Sequence, residues 1–148
     1  MEINRSIETV NEIFKEFPSR QRPDEEILEL LKIALTHNDF QFAGRFFLQI
    51  MGTAMGKRFA PSLANIYMRR FDQQAQQAQG GRPENYNRFL DDIFFTWRHG
   101  PQQLEEFEKY INGLIPGIKI NLTYKQTNIE FLDLVTYKKY NNDHTATL

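Results

Sequence analysis

Two adjacent aspartates, Asp91 and Asp92, stand between the apolar runs Phe89-Leu90 and Ile93-Phe94-Phe95. Runs this short and this aromatic read as strands rather than as a helix, so the acids fall in the tight turn of a β-hairpin. Their side chains then project from the end of the sheet. Two carboxylates held at such a tip offer the hard oxygen ligands that Mg²⁺ takes. Asp is also an ordinary turn residue, and on this segment alone a structural turn is the stronger explanation.

On either side of that hairpin the apolar period alternates between helix and strand. Ile3, Ile7, Val10, Phe14 and Phe17 recur at helical spacing and stop before Pro18. Pro23 opens a second helix. Asp24, Glu25 and Glu26 lie in its first turn, where the dipole favours acids, and Ile27, Leu28, Leu31, Ala34 and Leu35 form its apolar face. From Asn38 to Ile50 the order Phe40, Phe42, Ala43-Gly44, Phe46, Leu48 predicts another hairpin. Pro61 starts a helix carrying Leu63, Ala64, Ile66, Tyr67 and Phe71, which fades into a glutamine-rich stretch broken by Gly80-Gly81-Arg82-Pro83. Pro101 opens a helix with Leu104, Phe107, Ile111 and Leu114 on one face. Two final strands are expected over 118–124 and 129–137, joined by Lys125-Gln126-Thr127-Asn128. The class is α+β, with strands mainly in antiparallel hairpins packed on helices.

Composition narrows the function classes. With 148 residues, 41% of them apolar and 14% aromatic, the chain has room for one globular core. Neither a repeat nor a linker suggests two domains, so residues 1–148 are expected to form one. No apolar stretch approaches the roughly 20 residues that span a bilayer, and a membrane partner is not expected. Met1-Glu2-Ile3-Asn4-Arg5 is not followed by the continuous apolar core of a signal peptide. A cysteine count of 0 removes disulfides, thiol nucleophiles and cysteine zinc sites, and fits a reducing intracellular setting. His37, His99 and His144 lack ligand spacing. A net charge of −1 argues against attachment to nucleic acid by bulk charge. The charge is uneven, however. Acids crowd the first third, while Lys57, Arg58, Arg69, Arg70, Arg82, Arg88 and Arg98 gather beside the motifs, as a phosphate-contacting face or a solvated one.

The second informative stretch is Gly52-Thr53-Ala54-Met55-Gly56-Lys57-Arg58-Phe59-Ala60-Pro61-Ser62-Leu63-Ala64-Asn65. Two glycines let the backbone approach a ligand, two cations share the loop, and a proline-started helix follows at once. Backbone amides at a helix N-terminus favour anions, so a phosphate fits here; a generic loop-to-helix junction fits as well.

Taken together, a glycine loop and helix followed by an Asp-Asp hairpin resemble the palm of reverse transcriptases. The loop and helix look like motif B, and Phe89-Leu90-Asp91-Asp92 looks like motif C, usually Tyr-x-Asp-Asp. Gly-Thr-Ala-Met-Gly-x-x-Phe-Ala-Pro-Ser-x-Ala-Asn is similar to the Penelope-like retroelement branch, whose polymerase is related to telomerase. Gln49-Ile50-Met51-Gly52 matches that branch too. So does Ile129-Glu130-Phe131-Leu132-Asp133-Leu134, which looks like motif E. The resemblance covers nearly the whole chain, most closely Phe40 to Tyr137, with fingers-like elements over about residues 1–50 and palm motifs B to E over about 51–140.

This resemblance implies two-metal phosphoryl transfer, in which one metal activates a primer 3′-OH and the other holds the triphosphate. Asp91 would be the main metal-binding carboxylate, supported by Asp92. Gly56, Lys57 and Arg58 would border the nucleotide, with Pro61, Ser62, Asn65 and Phe89 near nucleotide or template. Phe131 and Leu132 would support the primer end, and Lys119 would match the motif D lysine that protonates pyrophosphate. The implied partners are an RNA template, a DNA primer and a deoxynucleoside triphosphate, with Mg²⁺ or Mn²⁺ as cofactor; the location would be nuclear. Two departures qualify this. Phe89 replaces the usual Tyr. More seriously, no acid before Gly52 ends an apolar strand, as the motif A aspartate should. In the family that motif lies upstream of the region where this chain begins, so a fragment is expected, with weakened metal binding, no polymerase activity alone, and an open sheet edge prone to self-association. Two other readings stay open: a non-catalytic nucleic-acid-binding remnant, and an α+β interaction module whose Asp-Asp is only a turn.

Overall fold

The computed structural model describes residues 1–54, 56–138 and 144–147, with side chains as far as Lys138. It is a mixed α+β protein, with four helices and three small antiparallel sheets among the described residues. The chain divides into two compact units, Met1–Arg70 and Phe71–Leu148.

The first unit begins with helices α1 (Ile3–Glu16) and α2 (Asp24–Thr36). The expected apolar faces form its core, except that Phe17 follows the end of α1 and is exposed: Val10, Leu35 and Leu63 are buried, and Ile3, Ile7, Phe14, Leu28, Leu31, Phe59 and Ile66 pack against them. Ser6 and Thr9 are buried within α1 with their hydroxyls satisfied, because these donate back to the carbonyls of Glu2 and Arg5 at 2.7 and 2.8 Å. Leu63 comes from α3 (Ala60–Gln76), the helix after the glycine loop. Glu16 binds Arg69 through both guanidinium NH groups, and Glu12 binds Arg70. The Arg69 hydrogen bonds hold the Glu16 carboxyl below its ordinary value.

Strands β1 (Asp39–Phe42) and β2 (Arg45–Leu48) form the expected hairpin. Its turn residues Ala43 and Gly44 both take positive φ, 50° and 75°, the twist that a two-residue hairpin connection prefers. Phe40 stacks on Phe47 at 5.5 Å, yet every strand position is exposed.

The second unit contains the remainder of α3, hairpin β3 (Glu84–Phe89) and β4 (Asp92–Thr96), helix α4 (Pro101–Leu114), and strands β5 (Asn128–Phe131), β6 (Leu134–Lys138) and β7 (His144–Thr147). Phe71 and Ala75 of α3, and Leu104, Phe107 and Ile111 of α4, are its buried apolar residues together with Ile115. The ring of Phe107 meets Phe95 of β4 at 5.5 Å and Trp97 at 5.1 Å, which accounts for the tryptophan as packing.

The last segment differs from expectation. Residues 118–124 alternate half-buried Ile118, Ile120 and Leu122 with exposed neighbours, as a strand would, but they pair with no strand among the described residues. Helix α4 satisfies their backbone instead. Asn112 donates to the Ile120 carbonyl at 3.0 Å and accepts from its amide at 2.8 Å, while Glu108 accepts from the Leu122 amide at 3.3 Å. The true hairpin is β5–β6, turned at Leu132-Asp133, with β7 added beside β6.

Candidate functional site: the Asp-Asp hairpin

Chain reversal between β3 and β4 uses Leu90 and Asp91, with Phe89 opposite Asp92. Only Asp91 is therefore in the turn; Asp92 is the first residue of β4. Leu90 has φ 52°, the left-handed region that costs an L side chain roughly 1–2 kcal/mol. Both aspartates are exposed.

Strand alternation sorts the hairpin into two faces. Tyr86, Arg88, Ile93 and Phe95 share one, and it meets the helices through Phe95–Phe107 and through Asp72 of α3. Asn87, Phe89, Asp92 and Phe94 share the other. There Phe94 packs on Phe131 at 5.4 Å, while Phe89 and Asp92 lie side by side in solvent. Asp92 thus sits at the turn end of the face turned away from the helices, with Asp91 beside it in the turn itself.

The helix-facing side holds a polar cluster that carries the turn. Arg88 Nε donates to both Asp72 oxygens at 2.9 and 3.0 Å, and Nη2 donates to Oδ2 at 2.8 Å. Nη1 of the same guanidinium donates to the Leu90 carbonyl at 2.8 Å. The Tyr86 hydroxyl donates to Asp72 Oδ1 at 2.8 Å. Burial, then the Asp72 hydrogen bond and charge, push the Tyr86 phenol far above its ordinary value, so it remains a donor. Neither Asp72 nor Tyr86 stands out in the sequence motifs, and Arg88 is there one of several cations. The signal was present: Arg88 is two residues from Tyr86 on the core-facing period, where a charge requires a buried partner.

Turn and strand make the two carboxylates neighbours in the chain, both of them exposed. Among the described residues no group of three or more His, Asp or Glu stands ready to hold a metal. Asp72 does not supply a third ligand, because its oxygens are committed to Arg88 and Tyr86.

The remaining candidate residues are dispersed. Gly56 (φ 84°), Lys57 and Arg58 are exposed in the loop before α3; Pro61, Ser62 and Asn65 are exposed on its first two turns. All six belong to the first unit, and Met55 lies outside the described residues. In the second unit Lys119 is exposed in the extended segment beside α4, Phe131 ends β5, and Leu132 is in the β5–β6 turn. An open groove of about 380 Å³ lined by Gln74, Gln79, Gln103, Glu106 and Tyr110 among others contains none of these residues. No helix is long and apolar enough to cross a membrane among the described residues. No family model, no curated protein and no solved structure matches this chain.

Proposed function

We propose that the chain carries part of the palm and fingers of a Penelope-like reverse transcriptase, with Asp91 and Asp92 as the motif C carboxylates. The observation that carries the reading is the position of Asp92. A turn needs one aspartate, and the second stands on the open face of the strand beside Phe89, where it adds a ligand rather than a turn. The glycine loop and helix earlier in the chain occur in the motif order of that family. In this reading Lys57 and Arg58 border the triphosphate, and Phe131 and Leu132 support the primer end. Mg²⁺ binds weakly, because the pair lacks a third carboxylate ligand and its two acids repel each other, and the chain alone does not extend a primer.

A different reading draws on one specific observation. Phe-Leu-Asp occurs twice, at 89–91 and at 131–133, and makes the same turn both times. Turn formation therefore accounts for Asp91 by itself, as in a plain interaction module. Mn²⁺ titration followed by water-proton relaxation separates the two. Metal binding lost in Asp91→Asn/Asp92→Asn but kept in Asp133→Asn supports the motif C reading; equal behaviour of all three chains supports the plain turn. Metal-dependent primer extension by the isolated chain, abolished by Asp91→Ala, overturns the statement that it is inactive alone.

A further inference from the structure

The two Phe-Leu-Asp turns are an internal comparison. Both reverse the chain over Leu-Asp, and both put the leucine in the left-handed region, φ 52° at Leu90 and 55° at Leu132. They differ in the flanking residues: Arg88 and Asp92 bracket the first, Glu130 and Leu134 the second. An ionised glutamate has no proton to give a carbonyl, so Glu130 cannot brace its turn as Arg88 does. The turn bearing the second aspartate is also the one with a guanidinium bonded to its backbone.

The geometry of that bond matters. The Leu90 carbonyl belongs to the planar peptide unit that ends at Asp91, so holding the oxygen holds the direction in which Asp91 leaves the strand. Arg88 can do this because its own position is set by three contacts to Asp72, on a side chain only 8% exposed. A guanidinium presents donors in a fixed fork and serves both partners at once; an ammonium does not. Asp72 has a second effect. It neutralises Arg88, so the brace adds little net positive charge beside two carboxylates that are to attract a cation.

We propose that Arg88, anchored by Asp72, is the positioning residue of the Asp91–Asp92 turn, and that it holds the backbone from which both carboxylates project before any ligand arrives. What this orientation serves rests on the metal reading above; the positioning itself does not. The test compares the full chain with Arg88→Lys and Asp72→Asn, by thermal melting, by NMR amide exchange at Leu90–Asp92 against Leu132–Leu134, and by Mn²⁺ titration. In a folded Arg88→Lys chain, exchange at 90–92 rises about tenfold or more while 132–134 is unchanged, the size expected for losing a charge-assisted hydrogen bond from a local opening. Mn²⁺ affinity falls several-fold with it. If Lys at 88 prevents folding, Asp72→Asn, which retains the arginine and frees it from its anchor, is read by the same comparison. Exchange at 90–92 that stays within about twofold of the parent, or that rises equally at both turns, overturns the proposal. A parent chain that binds no Mn²⁺ removes the metal reading, and the exchange comparison still decides the positioning.

Discussion

At the scale of single residues, the most consequential contact is the one between Tyr86 and Asp72. Asp72 is four-fifths buried and accepts from two donors, so each contact keeps a charge from being left uncompensated. Tyr86→Phe removes one charge-assisted bond at nearly constant volume. It should lower stability by roughly 1–2 kcal/mol at neutral pH, with Arg88 still in place to limit the loss. The pH dependence has a definite sign. The folded phenol titrates above its ordinary value of 10.0, so its contribution is full below that pH. It declines as pH rises above 10, where the unfolded chain gains by ionising and the folded one does not. Urea unfolding of both chains from pH 7 to 11 checks this, and the gap between them should be constant to about pH 10 and then narrow.

At the scale of elements, α4 performs a task that usually falls to a strand. Asn112 pairs with both backbone groups of Ile120, the two bonds that a neighbouring strand would otherwise make. Asn112→Ala should therefore cost about 2–3 kcal/mol, more than an ordinary half-exposed helix position, because it leaves an amide and a carbonyl without protein partners. Thermal melting measures this, and Asn121→Ala, in the same segment but exposed, serves as the control near zero. The same contact explains a misreading. Period-2 alternation over 118–124 predicts a strand, and the burial does alternate there, but the pattern says nothing about which element supplies the hydrogen bonds. The helices were legible because prolines or acids open them and apolar residues recur three and four apart, as at Leu104, Phe107 and Ile111. Ala43-Gly44 announced the first hairpin in the same way. The other two turns were displaced for a shared reason: both use a leucine at positive φ, a conformation for which leucine gives no signal. For that reason the sequence pattern places both aspartates in the turn when Asp92 is on the strand, and places the last turn at 125–128 rather than at Leu132-Asp133.

At the scale of the whole molecule, apolar surface remains uncovered. The hairpin β1–β2 is exposed at every position; Phe42 and Phe46, on its opposite faces, are 70% and 75% accessible. A lone two-stranded ribbon is marginal in water, and its outer edges carry unpaired backbone groups suited to strand addition. A net charge of −1 gives little long-range repulsion to keep copies apart. The β3–β4 sheet is likewise two-stranded, but one of its faces is covered by Phe107 and Asp72, so the tendency to associate should come mainly from β1–β2. The chain is accordingly expected to self-associate with rising concentration. Phe42→Ser/Phe46→Ser should reduce this while changing the melting temperature little, since neither side chain is buried. Light scattering coupled to size exclusion, across a range of loading concentrations, is the check. A single monomeric species at every concentration would overturn this expectation and show that the exposed ribbon is tolerated.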